Sequence, residues 1–531
     1  MDAAGSDEGV AAFFRGKEVL ITGATGFLGK CVVERLLRSC PEVGTVHLLL
    51  RPKKGQDVSR RLEEYLNLEL FDGVRAAAGG AEALARRVVA VRGDVTMHEL
   101  GLSAGERQRL AEGVRVLLHC AANVRFDMPL RTALTCNLQG TQRVLHLAEQ
   151  LPHLQAFVHV STAYCHCDRP EVLEKLYPPR ADPEKTLRLL DWMSDDMLEA
   201  LAPKFLGDLP NTYALSKNLT EGLIAKYAGK FPIGIARPSI VTSVWKEPLP
   251  GWVDNINGPT GLLMGAGKGV IRSMLCKGNY HADVVPVDMA ANAVLMLAWR
   301  LGKERPSEID VVNLTTWKDN LVTWTEVIEK GRRHLYANPL SGAIWYPDGS
   351  IKSSWLVHTL CVIFFHFLPA YFIDLLLLVC GHKPFMVRVQ KRIQGGLEAL
   401  QYYTLKEWHF PNTRMHELHK QIPPNEQDIF YWGVELVDLD KYTLDTVLGT
   451  RHYYLKDKPE TLPKARRHLR MLYVLDRFVA LLFYGCLLWF IWTWSQPVLS
   501  GLETMMGAAV MRVAPSLYVS AEDDSAFQTD S

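Results

Sequence analysis

In the segment NTYALSK, Tyr213 and Lys217 stand four residues apart. On a helix the two side chains share a face, and a nearby ammonium favours the phenolate, lowering the tyrosine pKa and making its proton available to a forming alkoxide. Tyr-x-x-x-Lys also arises by chance on ordinary helices, so its surroundings decide. Upstream, FVHVSTAY closes an apolar run with Ser161 and Thr162, hydroxyls suited to hydrogen-bonding a substrate carbonyl oxygen and the tyrosine. Asn137, in TCNLQGT, is suited to tying the active-site helix or a water to this group; an N-cap or a buried amide is the ordinary alternative. These residue types together fit protonation of an oxygen while its carbonyl carbon is reduced.

A second group fits a dinucleotide. VLITGATGFLGK places Gly23, Gly26 and Gly29 after an apolar run and at the opening of a helix. Without Cβ atoms the backbone turns tightly, brings N–H groups against a pyrophosphate and adds the favourable partial charge of a helix N-terminus; a purely structural turn is the alternative. Thr22, Thr25, Phe27 and Leu28 belong to the same turn and are assigned with it. The next run, VHLLL, ends in Arg51, followed by Lys53 and Lys54. An NAD-selective site usually carries a carboxylate there, whereas a guanidinium can bind a 2′-phosphate bidentately. The expected cofactor is therefore NADPH, against the alternative of a solvated basic loop. VRGDV adds Asp94, a carboxylate able to accept from the adenine amino group, with Val95 beside it, and HCAANV adds the small residues Ala121 and Ala122. Pro238, after the sixth run, is assigned to the same edge. Such groups, following successive strand ends, are what a bound dinucleotide requires, and Lys217 can then also hold the nicotinamide ribose.

The elements that must position these groups are legible as alternation. Apolar runs at Glu18–Thr22, Val46–Leu50, Val88–Val91, Val116–Cys120, Ala156–Val160 and Ile233–Arg237 are separated by helical patterns. That spacing predicts an α/β, doubly wound parallel-sheet Rossmann domain. At 531 residues the chain is too long for one ordinary core. A composition 48% hydrophobic with a formal net charge of +1 excludes a disordered chain and carries no signature of a nucleic-acid partner. The ten cysteines include no paired spacing of a structural zinc site, so no metal is expected and a reducing compartment fits. The acidic N-terminus does not resemble a signal peptide.

The regular alternation fades after about Val312, and Pro339, Pro347 and nearby glycines suggest a linker. Beyond it Trp355–Gly381 is strongly apolar with Pro369 inside; it is expected either to enter a membrane or to form a buried helix pair. Phe478–Leu502 has no charged residue and is long enough to span a bilayer. Lys464, Arg466, Arg467, Arg470 and Arg477 precede it and only Arg512 follows, which predicts a cytosolic catalytic side. The expected organisation is a flexible N-terminus (1–15), an NADPH-binding catalytic domain (16–335), a mainly helical apolar region (336–470), a transmembrane segment (471–502) and a polar tail (503–531), acidic and loose from Ala521 to Ser531.

Long blocks carry a family likeness: TGATGFLGK, LLRSCP, HCAANVRFD, FVHVSTAYCHC, the YPP of Lys175–Arg180, GDLPNTYALSK, ARPSIVTSVWKEPLPGWVDNINGPTG and ADVVPVD, between about residues 17 and 290. Weaker ones, LGTRHYYL and LPKARRHL, extend it to about residue 470. On these the chain resembles the animal-type alcohol-forming fatty acyl-CoA reductases of the extended short-chain dehydrogenase superfamily. The resemblance implies that Gly23, Gly26 and Gly29 bind the pyrophosphate, Arg51 the 2′-phosphate and Thr162 the substrate carbonyl, with Tyr213 and Lys217 supplying the acid. It places Trp245–Gly261 beside the substrate, where Trp252 and Pro259 contact it or shape the loop. It further implies a long-chain acyl-CoA substrate, membrane lipid as a neighbour, alcohol supply for wax esters or ether lipids, and the peroxisomal membrane, with the endoplasmic reticulum second. Cys165 and Cys167, soon after Thr162, make covalent thioester chemistry an alternative. Other readings are an extended dehydrogenase acting on a sterol or other lipid alcohol, and a catalytically silent NADPH sensor.

Overall fold

The computed structural model describes residues 9–53, 55–316, 319 and 321–513. Its centre is a seven-stranded sheet of β1 (Glu18–Thr22), β2 (Val46–Leu50), β3 (Val88–Arg92), β4 (Val114–His119), β5 (Ala156–Val160), β6 (Ile233–Pro238) and β7 (Asp310–Leu314). The spatial order is β7-β6-β5-β4-β1-β2-β3, with every pairing parallel. The central strands are buried along their length, which is why they read as unbroken Val, Ile and Leu runs and not as alternations. β7 lies outside the expected set: DVVNL pairs with β6 from Asp310↔Gly234 to Leu314↔Pro238, across the point at which the regular alternation fades.

Helices cover both faces. On one, α1 (Phe27–Ser39) packs against the long helix α4 (Val287–Glu304). α4 is buried from Val287 to Leu301, so it reads as apolar all round. On the other lie α2 (Gly140–Glu149) and α3 (Thr212–Ala225), whose buried residues share one core with Leu117, Phe157 and Ile235. The order of strands reverses between β1 and β4, and the crevice at their carboxyl ends is the ligand position of such sheets.

The N-terminal segment requires a correction. Residues 10–15 are not a flexible lead-in: Val10–Phe14 is a helix with Val10, Phe13 and Phe14 buried, and Phe13 lies against Gly302 of α4. Residues 1–8, Lys54 and the tail from 514, with its Glu522, Asp523 and Asp524, fall outside the described residues.

Met1–Ala465 forms one compact unit and Arg466–Ser531 a second. Within the first, a short parallel pair joins Ser273–Leu275 to Ser350–Lys352 and leads into the helix α5 (Trp355–Val379). A π-turn at Ile363–Phe367 precedes Pro369, the local rearrangement that accommodates a residue without an N–H. α5 is no buried helix: its buried residues are His358, Val362, His366, Ala370 and Asp374, five of 25 at a spacing of four. The second unit is helical through Val513 within the element Leu462–Val513, and Phe478, Leu481, Leu488, Trp489 and Trp492 on it are exposed. Among the described residues, two helices, Trp355–Val379 and Pro459–Met506, are thus long and apolar enough to cross a membrane.

Candidate active site

The cofactor edge is built by the first strand–turn–helix. β1 ends at Thr22, Gly23 takes a positive φ of 72°, and α1 begins after Gly26, whose N-cap position has no side-chain hydrogen bond. A Cβ on Gly23 would lie 2.5 Å from the Ala121 nitrogen, and one on Gly29 would lie 2.2 Å from the Gly23 carbonyl oxygen. Two of the glycines are therefore required by strand and helix packing alone. The third leaves an uncapped helix N-terminus at the switch point, a cradle that fits a pyrophosphate. The Thr22 hydroxyl is turned into the sheet, 2.6 Å from His119 Nδ1 and accepting from the Ala121 N–H at 3.3 Å. Burial pulls the His119 pKa down to about 3, so this histidine is a neutral brace between Thr22 and Thr141.

Arg51 follows β2 with its side chain exposed and its carbonyl held by Arg61. Asp94 accepts from the Thr96 N–H and hydroxyl through the same oxygen, both at 2.9 Å, which leaves its other oxygen for an adenine amino group. The Val95 carbonyl accepts from Arg143 at 2.9 Å. Phe27, on the first turn of α1, stacks on Trp252 at 5.6 Å, and Lys30 pairs with Asp254 at 2.5 Å. The Trp245–Gly261 loop is thereby fastened over the glycine-rich turn, with Pro259 opening the next helix.

Tyr213 sits in the first turn of α3, whose N-cap Asn211 accepts from the Ala214 N–H at 2.9 Å. Its ring is half-buried beside Phe126 at 5.9 Å. Burial raises the Tyr213 pKa, Cys165 adds to the rise, and a hydrogen bond with Thr162 opposes it. The expected depression by Lys217 is therefore corrected: the Lys217 ammonium donates to the Val160 carbonyl at 2.6 Å, and the phenol stays protonated. Burial lowers Lys217 to about 8, with Glu221 pulling the other way. Thr162 also accepts from the Tyr164 N–H at 3.3 Å. Ser161 gives its proton to Glu221 at 2.5 Å, so of the two adjacent hydroxyls Thr162 is the one beside Tyr213. Asn137 accepts from the Asn123 N–H at 2.8 Å and donates to Ser216 on α3 at 2.9 Å, joining the loop after Ala121 and Ala122 to α3.

Behind this group lies a network that residue-by-residue reading of the sequence misses. Glu221, one turn beyond Lys217, binds Arg237 of β6 through both carboxylate oxygens, at 2.9 and 2.5 Å, and neither side chain is exposed. Cys165 donates to it at 3.2 Å and His166 stands 3.5 Å away. Burial raises the Glu221 pKa, but Arg237 and His166 bring it well below the usual carboxylate range. Cys165, His166 and Glu221 have the donor atoms of a metal cluster, yet the carboxylate is already committed to a guanidinium. The spacing Tyr213, Lys217, Glu221 on one helix face was the available signal. Tyr403, from the C-terminal part of the same unit, reaches the site too: its ring lies 5.4 Å from Phe126, and its hydroxyl accepts from Asn211 at 3.0 Å. An apolar cleft runs nearby in sequence and space from the covering loop, lined by Leu262, Leu263, Met274, Trp324, Leu335 and Ile351.

A dinucleotide cradle beside a protonated tyrosine and a buried lysine, on a parallel sheet, defines a nicotinamide-dependent oxidoreductase of the extended short-chain dehydrogenase architecture. The NAD-binding family profile described as male sterility protein matches residues 21–294, and a second male sterility protein profile matches 365–457. Fatty acyl-CoA reductase 1 of Xenopus laevis is 38% identical over 463 residues, covering 87% of this chain and 89% of its own. The human protein of that name matches to the same extent, and fatty acyl-CoA reductase 2 of Mus musculus is 34% identical over 91% of this chain and 92% of its own. The chain belongs to the fatty acyl-CoA reductase family. Among solved structures, the reductase domain of a non-ribosomal peptide synthetase from Mycobacterium tuberculosis superimposes with a TM-score of 0.54 at 19% identity, covering 85% of this chain and 96% of that one.

Proposed function

We propose that this protein reduces long-chain fatty acyl-CoA to the fatty alcohol, using NADPH twice and releasing coenzyme A, from a membrane-attached position. The observation that carries the reading is the Tyr213–Thr162 pair beside Lys217, at the carboxyl edge that also holds the glycine-rich turn. The nicotinamide, when bound, supplies the hydride. Gly23, Gly26 and Gly29 hold the pyrophosphate, Arg51 favours a 2′-phosphate, Asp94 takes the adenine, and Ala121, Ala122, Val95 and Pro238 line the same edge.

Thr162 and Tyr213 donate to the thioester oxygen as it gains charge, which stabilises a thiohemiacetal. Tyr213 protonates that oxygen; as the C–S bond then breaks, the phenolate takes the hydroxyl proton back, coenzyme A leaves as a thiolate that solvent protonates, and an aldehyde remains. The aldehyde takes a second hydride at the same position, and Tyr213 again acts as general acid. Lys217, cationic below about pH 8, holds the ribose and favours the transient phenolate. Asn137 and Glu221 position α3 and Ser161.

Attachment rests on the charge-free helix Phe478–Leu502, with the basic residues from Lys464 to Arg477 on the cytosolic side. The peroxisomal membrane, and alcohol supply for ether lipids or wax esters, complete the proposal. The test is to incubate the purified protein with NADPH and a mixture of acyl-CoAs and identify products. Two NADPH oxidised per alcohol and per free thiol is the expected result; oxidation of NADPH without thioester loss overturns it.

A further inference from the structure

The helix α5 inverts the pattern of an ordinary surface helix. Its inward stripe is polar at every eighth residue. His358 lies 2.8 Å from the Ser273 hydroxyl. His366 accepts from the Arg272 and Ser273 N–H groups at 2.9 and 3.2 Å. Asp374 accepts from the N–H groups of Phe385, Met386 and Val387 at 2.8–2.9 Å. This last contact caps the following helix, α6 (Met386–Thr404). Outward, fourteen large apolar side chains between Trp355 and Val379 are exposed, among them Phe364, Leu368, Phe372 and Leu375. A patch of that kind on a soluble face is costly and marks an interaction surface.

Three features select the occupant. His358 and His366 bond to the strand segment at Arg272–Ser273 near the start and in the middle of the helix, and Asp374 in its last turns caps α6, so the first half of α5 is tied to the sheet pair and its end to the next helix. At 25 residues the helix is roughly 37 Å long, and crossing a hydrocarbon core of about 30 Å would carry Ser273 and the start of α6 to membrane depth. Directly after α5 in the chain, in the turn and the first two turns of α6, stand the exposed cations Lys383, Arg388, Lys391 and Arg392, which complement an anionic headgroup layer and not another apolar protein surface. Finally, the strand pair on which α5 rests shares Ser273 and Ile351 with the apolar cleft.

We propose that α5 lies in the plane of an anionic lipid bilayer, its outward face sunk among the acyl chains and the Lys383–Arg392 cations at the headgroups, so that the apolar cleft faces lipid. The inference rests on the membrane attachment proposed above and goes beyond it: a second, monotopic contact that sets the orientation of the catalytic unit. The test uses the full-length protein in phosphatidylcholine vesicles carrying phosphatidylserine. A fluorescent amino acid is placed singly at Val357, Phe364, Phe372 and Val379, all exposed, with Leu488 as the reference for the C-terminal helix, and quenching by lipids brominated at successive depths is read. In-plane docking gives one common shallow depth at the four positions, about 5–10 Å below the headgroup boundary. A maximum of depth at Phe364 with Val357 and Val379 near opposite surfaces means a span and overturns the proposal. Quenching at Leu488 with none on α5 overturns it too, while leaving the C-terminal anchor in place. Absence of quenching at Leu488 as well overturns both. As an independent check, the triple variant R388E/K391E/R392E reduces α5 quenching in phosphatidylserine vesicles and leaves Leu488 unchanged; equal quenching refutes the role of the cations.

Discussion

Replacing Glu221 by Gln tests whether the buried network sets the charge on Lys217. The lysine sits at about 8 because burial lowers it and Glu221 partly restores it. Residues four apart on a helix lie about 6 Å from one another, and at an effective dielectric of about 20 a unit charge at that range is worth about 2–3 kcal/mol, or roughly two pKa units. Removing the carboxylate charge therefore brings Lys217 down to about 6, and at pH 7.5 the cationic fraction falls about 25-fold. The measurement is kcat/KM for NADPH, which reports the free enzyme, followed from pH 6 to 9 by loss of reduced nicotinamide. The wild type loses activity as pH rises through about 8, and the variant does so about two units lower. The same substitution leaves Arg237 buried without its partner, a loss of about 3–5 kcal/mol. The double variant E221Q/R237Q removes both charges and is the form to assay if the single variant unfolds, because Lys217 lacks its carboxylate in both. A folded variant whose alkaline limb stays near 8, or whose activity drops equally at all pH values, refutes the argument.

Tyr213→Phe keeps the ring against Phe126 and removes the proton, so turnover falls about 10²–10⁴-fold with the melting temperature unchanged; near-normal alcohol formation removes Tyr213 from the mechanism. Thr162→Val, close in shape, costs about 10²–10³ in kcat as a lost oxyanion donor, and a KM effect alone argues against that role. Arg51→Asp raises KM for NADPH far more than for NADH; an equal response in both means that Arg51 does not read the 2′-phosphate. Protease added outside intact organelles digests the catalytic unit and spares only residues beyond the C-terminal helix; protection of the unit reverses the orientation.

The sheet was legible because strands buried on both faces leave an unambiguous apolar run, and because glycine-rich turns punctuate them. β7 was not, since its five residues straddle the point where the regular alternation fades. The turn around Gly23, the Tyr213 helix and the Ser161–Thr162 strand end are local features and could be located one by one. What the sequence does not state is how a hydroxyl is partnered: Ser161 and Thr162 are adjacent and chemically alike, yet Glu221 takes one and Tyr213 the other. That division depends on Arg237, contributed from a different strand, which holds Glu221 in place. The polar stripe of α5 was visible as His358, His366 and Asp374 at a spacing of eight, but composition alone made the segment look uniformly apolar.

The protonation states around the site also favour proton donation over covalent catalysis in the proposed mechanism. The thiol is a useful nucleophile only as thiolate. Burial raises the pKa of Cys165 well above its ordinary value, with Glu221 adding to the rise, and burial also pushes Cys120 and Cys167 up to about 12. Cys165, moreover, has its proton directed at a carboxylate, so losing it would place two anions in contact. A covalent thioester route would need one of these thiols to ionise where burial outweighs the neighbouring cations and hydrogen bonds that favour it. Tyr213, by contrast, is held protonated by its burial and has Thr162 at its hydroxyl, while Lys217 stays close enough to neutrality to respond to charge developing nearby. Groups pushed apart in pKa by their surroundings are how a site assigns acid and support. The helix α3 carries all three residues one turn apart, and the mechanism proposed above uses Tyr213 as acid, Lys217 as the adjustable cation and Glu221 as the fixed anion.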